Sequence, residues 1–176
     1  MYRKAWITGV IAAIFLLTAG AALAARGIIV TKPGSGGTTA GKMLVTDGSS
    51  DPSGRLFPGD AIKFTEDTKA NVGDLVDFVV SPDPAGEPLA SSLTLVVAGK
   101  VISTNVIATV TVGAHEVVLV RGGAIITGKI SVNGGTLALV DNSSVEGKIE
   151  STGGDVFVVG PGARISEGIT AIGPGS

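Results

Sequence analysis

One histidine and no cysteine stand among 176 residues, which removes most of the chemistry a chain of this length could carry. Without thiols there is no disulfide, no thiolate metal site and no cysteine nucleophile. With His115 alone, neither a histidine-based metal site nor a Ser-His-Asp triad assembles within one chain, and His115 reads as a turn or surface residue. Glu146 and Glu150 have the spacing of paired carboxylates for general acid–base work on a glycan. The equivalent places one repeat earlier and later carry Thr127 with Ser131 and Ser166 with Thr170, so no carboxylate pair recurs in a stack. Asp141 and Asp155 lie near turns where a calcium-binding β-helix would repeat an aspartate, yet Asn133-Gly134-Gly135 and Thr152-Gly153-Gly154 supply glycine without an aspartate column. The glycine pairs after Arg121 and Asn133 lack the helix and lysine of a phosphate cradle. Asn142-Ser143-Ser144 has the form of a glycosylation acceptor, which matters only in a host that glycosylates exported proteins. These residues define no catalytic site, no metal site and no cofactor site, and the expectation is a chain that is not an enzyme.

What could position such residues is a repeat. Val117-Val118-Leu119-Val120, Leu137-Ala138-Leu139-Val140 and Val156-Phe157-Val158-Val159 occupy similar places, and each is followed by a turn and a second apolar pair: Ile126 with Ile130, Val145 with Ile149, Ile165 with Ile169. Counting Val120 to Val140 to Val159 gives steps of 20 (140 − 120) and 19 (159 − 140). Short β-runs at that period, punctuated by Gly, Asn, Asp and Ser, predict a β-solenoid whose coils stack at strand spacing, about 4.8 Å. A single coil cannot bury its own apolar face; stacked coils can. The expected inner columns are Val120/Val140/Val159, Ile126/Val145/Ile165 and Ile130/Ile149/Ile169, with small residues Ala124/Ser143/Ala163 at one corner. Five-residue turns, Arg121–Ile125 and Gly160–Arg164, are matched by the four-residue Asp141–Ser144. Val101 and Ile107, each 19 positions before Val120 and Ile126, predict a degenerate first coil from about Gly99.

The run from Leu137 through Val145-Glu146-Gly147-Lys148-Ile149 to Val156 and Ile165-Ser166-Glu167-Gly168-Ile169 resembles the bactofilin pattern, over roughly residues 117–172. That resemblance implies a right-handed β-helix that polymerises end to end. Bactofilins usually have more coils and are typically cytoplasmic, and this chain departs from them on both counts. Val159-Gly160-Pro161-Gly162-Ala163-Arg164-Ile165 also fits one repeat of the left-handed hexapeptide acyltransferases, but no whole coil keeps the six-residue frame, and His115 precedes the repeat.

After the last coil only Thr170–Ser176 remain, rich in Gly and Pro, and too short for a capping helix. An uncovered terminal coil presents unpaired strand edges, so Val156, Val159, Ile165 and Ile169 are the expected assembly residues.

The rest of the chain is expected to display or anchor this solenoid. Residues 1–24 have a signal-peptide layout: basic Arg3 and Lys4, an apolar run from Ala5 to Leu23, and Ala22-Leu23-Ala24 as a processing site. The alternative is an uncleaved membrane anchor over residues 5–25. Both place the remainder outside the cytoplasm, in the periplasm or at the cell surface, and with no Cys there is no lipoprotein anchor. Residues 25–41 are expected as a flexible linker, 42–98 as a small antiparallel barrel and 99–176 as the β-helix. In the barrel, Val72-Gly73-Asp74-Leu75-Val76-Asp77-Phe78, then Gly86-Glu87-Pro88-Leu89-Ala90, is similar to the closing strands of OB-type barrels, including cold-shock domains.

An oligonucleotide-binding barrel needs a basic groove and exposed aromatics. Residues 42–97 carry four basic side chains against nine acidic ones, and their only aromatics are Phe57, Phe64 and Phe78, the last two in core-like alternation. Nucleic acid is therefore not an expected partner. The expectation is an all-β, exported, non-catalytic scaffold that assembles with itself into an oligomer or fibre at the cell envelope. The alternative is an envelope binding module, in which the barrel holds a glycan or a protein and the β-helix is a spacer. The membrane is a partner only if the leader stays uncleaved.

Overall fold

The computed structural model describes residues 24–34, 39–47, 50–51, 54–82 and 84–172. Of the expected signal peptide (residues 1–24) or anchor helix (residues 5–25), residues 1–23 lie outside the described residues, and Ala24 and Ala25 open a β-strand instead.

The first half forms β1 (Ala24–Thr31), β2 (Gly41–Asp47), a short hairpin of β3 (Ser50–Asp51) and β4 (Gly54–Arg55), then β5 (Ala61–Phe64), β6 (Leu75–Pro82) and β7 (Pro88–Val97). Five of these close a barrel in the order β1-β2-β5-β7-β6. Two expectations are corrected. Residues 25–31 are not linker but strand β1, which pairs with both β2 and β6 and so removes both of their free edges. The β-branched run Ile28-Ile29-Val30 favours a strand. Nor is the barrel wholly antiparallel, because β5 meets β7 in parallel, Phe64 opposite Ala90. Its core holds Met43, Val45, Ile62, Phe64, Val76 and Phe78, all from inward positions of alternating strands.

The second half is a stack of about four coils with three strand positions each. The first coil has β8 (Lys100–Ile102), a bridge at Val106 and β9 (Val110–Val112). The second has β10 (Val117–Val120), β11 (Ile125–Ile126) and β12 (Ile130–Asn133). The third has β13 (Thr136–Leu139), β14 (Ser144–Val145) and β15 (Ile149–Thr152), and the fourth β16 (Asp155–Val158), β17 (Arg164–Ile165) and β18 (Ile169–Ile172). Strands pair in parallel with the coil above and below, giving sheets β16-β13-β10-β8, β11-β14-β17 and β18-β15-β12-β9.

The columns Ile126/Val145/Ile165 and Ile130/Ile149/Ile169 stand as expected. The first column does not. Val120 lies opposite Leu139, and Leu139 opposite Val158, so the column is Val120/Leu139/Val158 and Val140 and Val159 point the other way. In register, Val120 and Ile125 enclose residues 121–124, Leu139 and Ser144 enclose 140–143, and Val158 and Arg164 enclose 159–163. The single insertion therefore falls in the last corner. The first coil is also displaced from expectation: Ile102 and Val106 are the partners of Val120 and Ile126, while Val101 and Ile107 are 38% and 86% exposed. Close stacking at the second corner depends on Gly128 and Gly147. A Cβ on Gly147 would stand 2.6 Å from the Gly128 carbonyl oxygen, and one on Gly128 would stand 2.4 Å from that of Ala108.

The outward residues of β10 and β13 are as buried as the inward ones because the barrel covers them. Val117, Leu119, Ala138 and Val140 form one buried cluster with Ile28, Leu44 and Leu75 of the barrel. This explains why Leu44, an outward residue of β2, is only 2% exposed. At the exit from the barrel, the buried Asp74 carboxylate accepts from the Asn71 amide at 2.7 Å and the Gly99 amide at 2.9 Å, which ties the connection between β7 and β8 to the start of β6.

Candidate assembly surface

At the last coil the interior of the solenoid comes to the surface. Its strands β16, β17 and β18 are each the terminal strand of a sheet, hydrogen-bonded on one side only among the described residues. In the third coil the inward residues Leu137, Leu139, Val145 and Ile149 are fully buried. One coil on, their column partners are half-open: Val156 and Ile165 are partly buried against the core, while Val158 is 37% exposed and Ile169 48%. The exposed end is thus a cross-section of the core, ringed by strand N–H and C=O groups that have no ladder partner among the described residues.

Three of the four expected assembly residues, Val156, Ile165 and Ile169, belong to this end face. Val159 does not; it packs with Val140 in the cluster facing the barrel. Val158 and Ala171 take inward places that sequence reasoning missed. The signal was hidden because Val156-Phe157-Val158-Val159 is apolar throughout, so no alternation marks which residues face inward.

The remaining chemically suggestive residues are dispersed. Glu150 forms an ion-pair ladder with Lys129 and Lys148 along the outside of the β12–β15 sheet. The hydrogen bond from Lys129, with the positive charge of both lysines, holds its carboxyl below the ordinary glutamate range. Glu150 is thereby a surface ladder residue, and Glu146 is an exposed side chain on the neighbouring turn. His115 sits exposed in a turn with φ of 62°. Asp141 and Asn142 carry φ of 52° and 59° at the third coil's corner, where Asn142 follows the left-handed preference of its residue type. Among the described residues no group of three or more His, Asp or Glu could hold a metal ion. Phe64 and Phe78 lie in the barrel core, and Phe57 is half-exposed.

Between barrel and solenoid runs a cleft of about 270 Å³, bordered by Lys42, Leu44, Ala61, Val140, Asp141 and Pro161. It is mostly apolar and sits beside the interface cluster. Compared with protein-family models, with curated proteins and with solved structures, the chain matches none of them.

Proposed function

We propose that the chain is an exported, non-catalytic structural protein that assembles with itself at the cell envelope through the last coil of its β-helix. The observation that carries this reading is the change in exposure along one column: Ile149 is 0% exposed and Ile169, directly next to it in the stack, 48%. An apolar column that stops at solvent leaves uncovered surface worth about 25 cal/mol per Å² if a further coil covers it. The bactofilin-like motifs support a right-handed winding and end-to-end association. An OB-type barrel is supported by the Greek-key order, in which β1 pairs with both β2 and β6 and β7 returns to β5. Export rests on Arg3, Lys4, the apolar run to Leu23 and the Ala22-Leu23-Ala24 processing site.

The second reading, a binding module for an envelope glycan or protein, is favoured by the apolar cleft beside Lys42 and Asp141. It has less surface to use, because the solenoid already covers Ile28 and Leu44 on the outer face of the barrel. Sedimentation of the full chain in density-matched detergent separates the two. Under the assembly reading the protein associates as its concentration rises and Ile169→Asp does not, with an unchanged circular dichroism spectrum. A strictly monomeric full chain at high micromolar concentration overturns it.

A further inference from the structure

We infer that the bond at which the export leader is removed, Ala24–Ala25, is gated by folding: it is open to hydrolysis while β1 is free and shut once β1 closes the barrel. A chain that folds before it is cut therefore stays fastened to the membrane by its leader. The inference rests on the export reading above and goes beyond it, because it makes processing depend on the barrel. Its source is the position of β1. The small-x-small tripeptide Ala22-Leu23-Ala24 puts the cut before Ala25, and both Ala24 and Ala25 belong to the first strand, paired with Val79 and Phe78 of β6.

A peptidase binds its substrate as an extended strand, so the residues on both sides of the scissile bond must be unpaired and reachable. Ala25 meets neither condition. It is 2% exposed and belongs to the barrel core together with Val76 and Phe78. The next residue, Arg26, has its guanidinium 2.9 Å from the Asp77 carboxylate, and from Arg26 onward β1 is paired with β2 as well. Gly27 is pressed against both neighbours: a Cβ there would stand 2.8 Å from the Leu44 carbonyl oxygen and 3.2 Å from the Phe78 ring.

Fraying does not release the bond. Peeling off Ala24, Ala25 and Arg26 leaves about 7 Å of chain between the bond and Gly27, less than the roughly 10 Å that separates two packed layers of strand. The barrel wall then still stands where the wall of the enzyme's cleft has to go. Lifting β1 further uncovers Ile28 and Ile29, both 0% exposed, and opens the barrel.

The gate closes only after β6 has been delivered. Val79 follows Ala24 by 55 positions (79 − 24). If export keeps pace with synthesis at about 5–20 residues per second, β1 waits about 3–11 s for its partner. In that interval hydrolysis consumes one water and leaves a carboxylate on Ala24 and an ammonium on Ala25. Afterwards the apolar run from Ala5 to Leu23, long enough for a membrane span, holds the folded chain at the bilayer.

The test is made on the full chain, synthesised without membranes, folded in detergent and then given a purified leader peptidase, with the new N-terminus read by mass. One variant carries a Gly/Ser segment of about six residues between Ala24 and Ala25, which keeps the tripeptide and moves the bond up to about 20 Å from the strand. A second, Phe78→Asp, unfolds the barrel and leaves the sequence around the bond untouched. Both variants are cut after Ala24, and the parent loses its leader at least about tenfold more slowly, because cleavage follows the population of the opened strand. If the parent is cut after Ala24 as fast as the two variants, the gate is overturned and export stands. If none of the three is cut after Ala24, the processing site is overturned and the gate with it.

Discussion

The guanidinium of Arg121, at the corner after β10, donates a hydrogen bond to the backbone carbonyl of Val30 in β1. Ninety-one positions separate the two residues, and the bond fastens the solenoid's second coil to the barrel's first strand. Beside it lies the cluster of Leu119 and Ala138 with Ile28 and Leu44, so the two halves share one buried seam. Arg121→Ala removes a charged donor from a half-buried carbonyl and is expected to cost about 1–2 kcal/mol. The check is chemical denaturation of both proteins followed by backbone circular dichroism and by exposure of barrel residues.

Leu119 is fully buried and faces the barrel, not the solenoid interior. Leu119→Ala should therefore act as a core truncation even though the residue is outward on its own coil, with a loss of about 2–5 kcal/mol. A solenoid whose outer face were wet would tolerate the change within about 0.5 kcal/mol. Thermal unfolding with two probes distinguishes these, and it also reports whether barrel and solenoid melt together in the parent protein.

Gly147 is required by close approach and not by its backbone angles. A methyl group there meets the Gly128 carbonyl oxygen at 2.6 Å, so the coils must separate locally, and Gly147→Ala should cost about 1–3 kcal/mol. Gly122 is the contrast: its φ is +66° and nothing lies within 4 Å of an added Cβ. Gly122→Asn, a residue type that accepts the left-handed conformation, should shift the denaturation midpoint little.

The Glu150 ladder predicts a small pH dependence with a definite sign. Lys129 and Lys148 lower the carboxyl's folded-state pKa. The stabilisation is therefore present above the unfolded pKa, about 4.3 for glutamate, and is lost as pH falls through the lower folded value. Comparing the melting temperature of the parent with that of Glu150→Gln from pH 7 downward, the gap between them should hold above about pH 4.3 and narrow as the pH falls below it. Added salt should narrow it at neutral pH, because the groups are exposed to solvent.

Much of the solenoid was legible because its signal is repetition. Val145, Ile165, Ile130, Ile149 and Ile169 are single apolar residues set among polar or glycine neighbours, Ile126 follows only Ala124 and Ile125, and both columns stand where spacing puts them. In the barrel, exposed and buried residues alternate along Ala61–Phe64, whereas Met43-Leu44-Val45 and Phe78-Val79-Val80 are apolar runs in which alternation does not mark the inward face. Strand β1 was missed because a Gly/Ser/Thr-rich stretch follows it directly, which concealed the fact that Ile28-Ile29-Val30 closes the barrel.

By itself the amino-acid sequence determined the period, the turns and the identity of two of the three inner columns, since each of these is a local pattern of polarity. Only the tertiary structure decided which way Val120, Val140 and Val159 point, that β1 belongs to the barrel, and that the inward Ile102, Val110 and Val112 of the first coil are buried while the inward Val158 and Ile169 of the last are exposed. The physical reason is burial on both sides. Where β10, β13 and β16 lie between the solenoid interior and the barrel, apolar residues satisfy either face, and the choice between them is made by strand register and by the docking of a surface far away in the chain.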